Sequence, residues 1–313
     1  MPSRKTIIFS AAGLMLLIVI SLALWSSGSD QPAATSESHS DHTAKTVVAA
    51  GDIACDANEP ASALACRQGD TARLIAALEP TAVLTLGDNQ YPDGALASFQ
   101  DSYAKSWGVF KDITFPVPGN HEYQTPDAAG YFDYFGSRAG ERGKGYYAFS
   151  VGAWRFIALN SEIDLSENSA QLAWLKQELK THPAACTLAY WHEPRFSTGG
   201  HPDDSRSDAT WRVLYANNVD VVLNGHSHAY ERFAPQNPDG QIDQTRGITE
   251  FVSGMGGRAP EALNDPSPLL ATRQNHAFGV LVLTLHGSSA RYEFVPIPGG
   301  QQTFSDSGVV ACH

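Results

Sequence analysis

The chain has 313 residues, 42% of them hydrophobic, with 21 Lys and Arg against 33 Asp and Glu. That length and apolar content suit one large folded domain and argue against wholesale disorder. The formal charge of -12, with no cluster of basic residues, argues against a nucleic-acid surface, because affinity for a phosphate backbone depends on grouped Lys and Arg.

Arg4 and Lys5 precede an uncharged run from Thr6 to Trp25, rich in Ile, Leu and Val. Residues 1–25 therefore read as a signal peptide or a signal anchor. No small-x-small cleavage site follows, which favours an uncleaved anchor with its positive residues inside. Residues 26–45, rich in Ser, Asp and Ala and without periodicity, read as a disordered linker in which His39 and His42 are solvated. Residues 46–313 remain as one domain. Export places that domain outside the cytoplasm, membrane-anchored or secreted, in an oxidising compartment where its four cysteines pair. Three pairings are open. Cys55 with Cys66, closing a small loop, and Cys186 with Cys312, tying the final strand to the sheet, are the favoured ones.

From Thr46 onwards strands and helices alternate. Five apolar runs each end in a polar loop: Val47–Ala50 before Gly51-Asp52, Ala82–Leu86 before Gly87-Asp88-Asn89-Gln90-Tyr91, and Phe115–Pro118 before Gly119-Asn120-His121-Glu122. Thr187–Trp191 then leads to His192, and Val219–Leu223 to Asn224-Gly225-His226-Ser227-His228. Open α/β sheets place their chemistry beyond the carboxyl ends of such strands. Between them, Asp70 caps a predicted helix through Leu78, a second helix is expected from about Ala95 to Trp107, and Tyr123 to Tyr147 reads as a long surface excursion. Tyr147–Val151 and Trp154–Asn160 predict a hairpin turning at Gly152. Ser169 to Lys180 predicts an amphipathic helix with Leu172, Leu175 and Leu179 on one face. Beyond His228, Phe251–Ser253, Gly279–Leu285 and Arg291–Val295 are strand-like without long helices between them, which suggests an antiparallel second sheet. The economical architecture is α/β, two packed sheets flanked by helices.

The loops offer Asp52, Asp88, Tyr91, Asn120, His192, His226 and His228. Carboxylate and phenolate oxygens suit a trivalent ion, and imidazoles with an amide oxygen suit a divalent one, so the mixture points to two unlike metals, with Asp88 shared. Each residue alone has an ordinary explanation, as a packed aromatic, a turn residue, a cap or a core histidine. In this order and at five strand exits they form a site.

These motifs resemble those of the calcineurin-like metallophosphoesterases over residues 46 to about 232. Most of that superfamily has a histidine two residues after the first aspartate; here the place is held by Ala54. Tyr91 stands where the purple acid phosphatase branch, which lacks that histidine, has a metal-binding tyrosine. The resemblance implies a four-layer α/β/β/α sandwich of two mixed sheets. It implies Fe(III) on Asp52, Tyr91 and His228, a Zn, Fe or Mn(II) ion on Asn120, His192 and His226, and Asp88 bridging. Ala54 also replaces the branch's usual glycine, which bears on loop shape.

The expected activity is hydrolysis of a small phosphate ester, a monoester first, by a metal-bound hydroxide. His121, not needed as a ligand, would act on the phosphoryl group as donor or general acid, oriented by Glu122. His201, in the Ser197–His201 loop, stands where the branch often carries a substrate-side histidine. Arg195 could contact phosphate or pair with an acid, and Arg232 reads as structural. The alternatives are a phosphodiesterase of the same superfamily and a non-catalytic surface protein that keeps the fold.

Overall fold

The computed structural model describes residues 44–201, 203–300 and 304–313. The expected signal segment and all but the end of the linker lie outside them. Among the described residues no helix is long and apolar enough to cross a membrane.

The elements follow in order as β1 (Lys45–Ala50), α1 (Gln68–Leu78), β2 (Ala82–Leu86), α2 (Leu96–Asp101), β3 (Thr114–Val117) and α3 (Ala129–Phe135). Next come β4 (Tyr147–Val151), β5 (Trp154–Ala158), α4 (Ala170–Thr181), β6 (Cys186–Tyr190), α5 (Asp208–Ala216) and β7 (Val221–Asn224). The last are β8 (Tyr230–Phe233), β9 (Thr249–Ser253), β10 (Leu270–Gln274), β11 (Gly279–Leu285), β12 (Ser289–Pro296) and β13 (Ser307–Ala311). Two mixed sheets result, one ordered β13-β12-β11-β1-β2-β3 and the other β10-β8-β9-β7-β6-β5-β4.

Period-two burial explains why the sheets stack. In β5, Trp154, Phe156 and Ala158 join the core between the sheets, while Ile157 faces a second core under α4 and α5. The same alternation puts Leu188 and Tyr190 inward and Ala189 outward on β6, and Leu223 inward and Val222 outward on β7. Leu175 of α4 and Trp211 and Leu214 of α5 fill that outer layer, and Leu74 and Ile75 of α1 join the core on the side of the first sheet. These make the α/β/β/α sandwich. Ser169 caps α4 by accepting the Leu172 amide hydrogen at 3.2 Å, and the hairpin does turn at Gly152, whose φ of 60° suits a residue without a side chain.

Several local expectations change. Asp70 lies inside the first turn of α1 and pairs with Arg67 and Arg73 instead of capping it. The second helix stops at Asp101 and continues as 3-10 turns through Ile113. The Tyr123–Tyr147 stretch is a surface excursion only in part: Tyr131, Phe132 and Phe135 of α3 are buried, because its aromatics repeat at helical spacing, whereas residues 141–144 are exposed. The C-terminal strands divide between both sheets. β11 pairs antiparallel with β1, and β9 runs parallel to β7, so they complete each sheet where a separate antiparallel one was expected. Both favoured disulfides form. Cys186 starts β6 and Cys312 follows β13, so the second bridge fastens one sheet to the other.

Candidate metal centre

Five of the strands, β1, β2, β3, β6 and β7, end at one edge of the sandwich, and their loops continue the pairing of the strands. The Asp52, Ile53 and Ala54 amides donate to the carbonyls of Gly87, Asp88 and Asn89 at 3.0 to 3.1 Å, and the Gly225 amide donates to that of His192 at 3.0 Å. Glu122 ties in the third loop: its carboxylate accepts from the amides of Gly119 (2.8 Å) and Gln90 (3.1 Å). It therefore holds loops together and does not orient His121. Gly87 is required where it stands, since its φ is 84° and a Cβ would collide with the His192 ring. Asp52, Asp88 and His226 occupy the left-handed region at φ 59°, 46° and 70°, a conformation that costs of order 1–3 kcal/mol per residue and clusters at functional sites.

The seven residues expected as ligands converge here. The Tyr91 hydroxyl lies 3.0 Å from Asp52 Oδ1, 3.0 Å from Asp88 Oδ2 and 3.0 Å from His228 Nε2. On the other side, His192 Nε2 lies 3.4 Å from Asp88 Oδ1, 3.1 Å from Asn120 Oδ1 and 3.1 Å from His226 Nδ1. The donors thus fall into two groups, and the two oxygens of Asp88 are divided between them. Two imidazoles are fixed from behind, with His192 Nδ1–H donating to the Leu86 carbonyl at 2.8 Å and His228 Nδ1–H to the Ala259 carbonyl at 2.7 Å. A carbonyl only accepts, so each ring turns its Nε2 inward.

The electrostatics are those of a negative pit. Asp52 and Asp88 are buried, and among the described residues their ion-pair partners are all histidines. Burial works against the Asp88 carboxylate, but the neighbouring His192 and His121 outweigh it and hold Asp88 below the usual range. Burial also opposes charge on His192 and His228, yet Asp88 raises the first to about 10 and Asp52 the second to about 9. His226, largely shielded from water and beside the charged His192, is pushed down to about 2. Burial and the flanking Asp52 and Asp88 put the Tyr91 phenol well above its ordinary value, so it ionises only against a strong positive charge. Two carboxylates, a phenol, an amide oxygen and three imidazoles facing one another with only protons to compensate them fit two cations, with the harder oxygen set on the Asp52 side.

Two residues expected to act on substrate stand at the rim. His121 donates its backbone N–H to Asp88 Oδ1 at 2.9 Å, its Nε2 is 3.7 Å from Asp88 Oδ2, and its Nδ1 bonds the Pro92 carbonyl. His201 packs against His226 with ring centroids 3.9 Å apart and planes tilted by 32°, and its Nε2 is 3.4 Å from Glu261. Arg195 pairs with Asp208 and Asp203, away from the donors, and Arg232 pairs with Asp306 as a structural residue. Sequence reasoning missed the segment Arg258–Glu261, which supplies the carbonyl behind His228 and the carboxylate beside His201. Its available signal was Gly254-Met255-Gly256-Gly257, a glycine-dense stretch directly after a buried strand.

The family model for calcineurin-like phosphoesterases matches residues 45–230. The chain belongs to that family. Its relatives include purple acid phosphatase 15 of Arabidopsis thaliana, 29% identical over 197 residues, which cover 52% of this chain and 37% of that one. Purple acid phosphatase 23 of the same plant is 30% identical over 193 residues, 49% of this chain and 42% of that one, so the chain spans less than half the length of either relative. The fold is also that of the purple acid phosphatase PPD1 from yellow lupin (Lupinus luteus) seeds, with a TM-score of 0.74 at 18% identity over 86% of this chain and 54% of the other. Within the family, these relatives put the chain with the purple acid phosphatase-like branch.

Proposed function

We propose that the protein is an exported binuclear metallophosphatase that hydrolyses small phosphate monoesters. The division of the Asp88 carboxylate between two groups of donors is the observation that carries this reading. Asp52, Tyr91 and His228 would hold one ion, Fe(III), and Asn120, His192 and His226 the other, Zn, Fe or Mn(II), with Asp88 shared. Bound there, two cations would supply Lewis-acid activation of the ester and of the attacking water. The chain's own part is to orient and to move protons. Asp52 and Asp88 create the negative pit that concentrates cations in a protein of net charge -12. His121 Nε2, next to Asp88 and partly open to solvent, would donate to a phosphoryl oxygen or to the leaving group. His201, more exposed and steadied by Glu261, would contact the substrate from the side of His226.

Residues 1–25 would act as signal peptide or signal anchor, 26–45 as linker and 46–313 as the catalytic domain. The two disulfides support an oxidising compartment outside the cytoplasm. The test is Asp88→Ala. That variant should lose both ions, by metal analysis, and release no phosphate from an aryl phosphate; a folded variant with full activity would refute the proposal.

A further inference from the structure

Arg258 has no part in the donor set, yet it touches it at two points. Its backbone N–H donates to the Asp52 carbonyl at 2.9 Å, so it is fixed to the same strand exit that carries the first carboxylate. Its guanidinium carbon lies 4.9 Å from the centre of the Tyr91 ring. The side chain is held there by Glu59, 2.6 Å from Nη1, and by a contact of the same nitrogen with Cys55 Sγ at 3.4 Å. Glu59 sits inside the loop closed by the Cys55–Cys66 disulfide. A cross-linked loop therefore presents a carboxylate whose effect is to keep a guanidinium against the Tyr91 ring.

We propose that Arg258 is a positioning residue that sets the donor strength of the Tyr91 phenolate toward its ion. The inference rests on the metal reading above and deepens it. A guanidinium does not lose its proton at any working pH, so its field on the ring is constant. Over the face of a phenol it attracts the π electrons, and over a phenolate the attraction becomes one between opposite charges at short range, with the ring buried and the guanidinium partly open to solvent. Both effects lower the energy of the electrons that Tyr91 shares with a trivalent ion. Charge transfer from the ring to the ion then requires more energy, and removing the guanidinium makes it require less. Lys at the same position keeps a charge but loses the planar guanidinium face laid against the ring, so its effect on the ring is weaker.

The experiment compares the full-length protein loaded with iron, Arg258→Met and Arg258→Lys, reading the position of the visible absorption band at equal iron content. The Met variant should absorb at longer wavelength than the unaltered protein, with the Lys variant between the two. A band at the same wavelength in all three would overturn the proposal. If the Met variant does not fold, the Lys variant decides: a shift to longer wavelength supports the proposal and an unmoved band refutes it. An iron-loaded, unaltered protein that shows no visible band would sink the assignment of Tyr91 as a ligand and this proposal with it. A visible band that Arg258 does not move would sink this proposal alone.

Discussion

The floor of the site and its rim are built on different physics. On the floor, Asp52, Asp88, Tyr91 and His192 are buried to within a few per cent, each touches at least one other donor, and the His192 ring is locked by a main-chain carbonyl. At the rim, the side chains of His121 and His201 keep 27% and 43% of their surface exposed, and their steadying contacts come from loops. On the proposed reading, rigid strand exits would fix where cations bind, while loops would fix what is brought to them. The difference predicts that floor substitutions empty the site and rim substitutions leave it loaded but slow.

Rim substitutions test this contrast most sharply. His121→Ala should retain both ions, since its hydrogen bond to Asp88 comes from the backbone amide and survives the loss of the ring, while kcat falls by about 10²- to 10⁴-fold, the range for a lost general acid. Loss of metal in that variant would move His121 to the floor. His201→Ala should cost less, about 10- to 100-fold and chiefly in KM, the size of one lost hydrogen bond to a charged group. Steady-state kinetics with metal analysis on the same samples separates these outcomes.

The disulfides sharpen the comparison through stability. Cys55–Cys66 links positions 11 apart in the chain beside the floor, and Cys186–Cys312 links positions 126 apart and joins the two sheets. Chain entropy alone predicts that replacing both cysteines by Ser costs about 3 kcal/mol for the first bridge and about 5 kcal/mol for the second. Urea unfolding of the two double variants should show that order. The reverse order would mean that the small loop contributes more through its contacts, Glu59 with Arg258 among them, than through its closure.

The floor was legible in the sequence because its grammar is local. A buried strand such as Ala82–Leu86 followed by Gly87-Asp88 announces both the sheet and the position of the donor, and the place of Tyr91 three residues on follows from the same run. Which sheet a strand joins is set by distant partners, so the pairing of β11 with β1 was not readable from either segment. The same holds for the surroundings of the rim. Glu261 faces His201 across sixty residues of chain, in a stretch without period, and Glu122 reads from sequence as a partner of its neighbour His121, whereas its carboxylate accepts from the amides of Gly119 and Gln90. Burial of α3 was obscured by glycines on either side of an aromatic run whose spacing is helical.

The most direct test is anomalous scattering from crystals of the purified, metal-loaded protein. Two peaks about 3.5–4 Å apart, one on the Tyr91 side of the Asp88 carboxylate and one on the His192 side, are what the divided donors require. A single peak, or none, with those side chains still in place would contradict the binuclear centre.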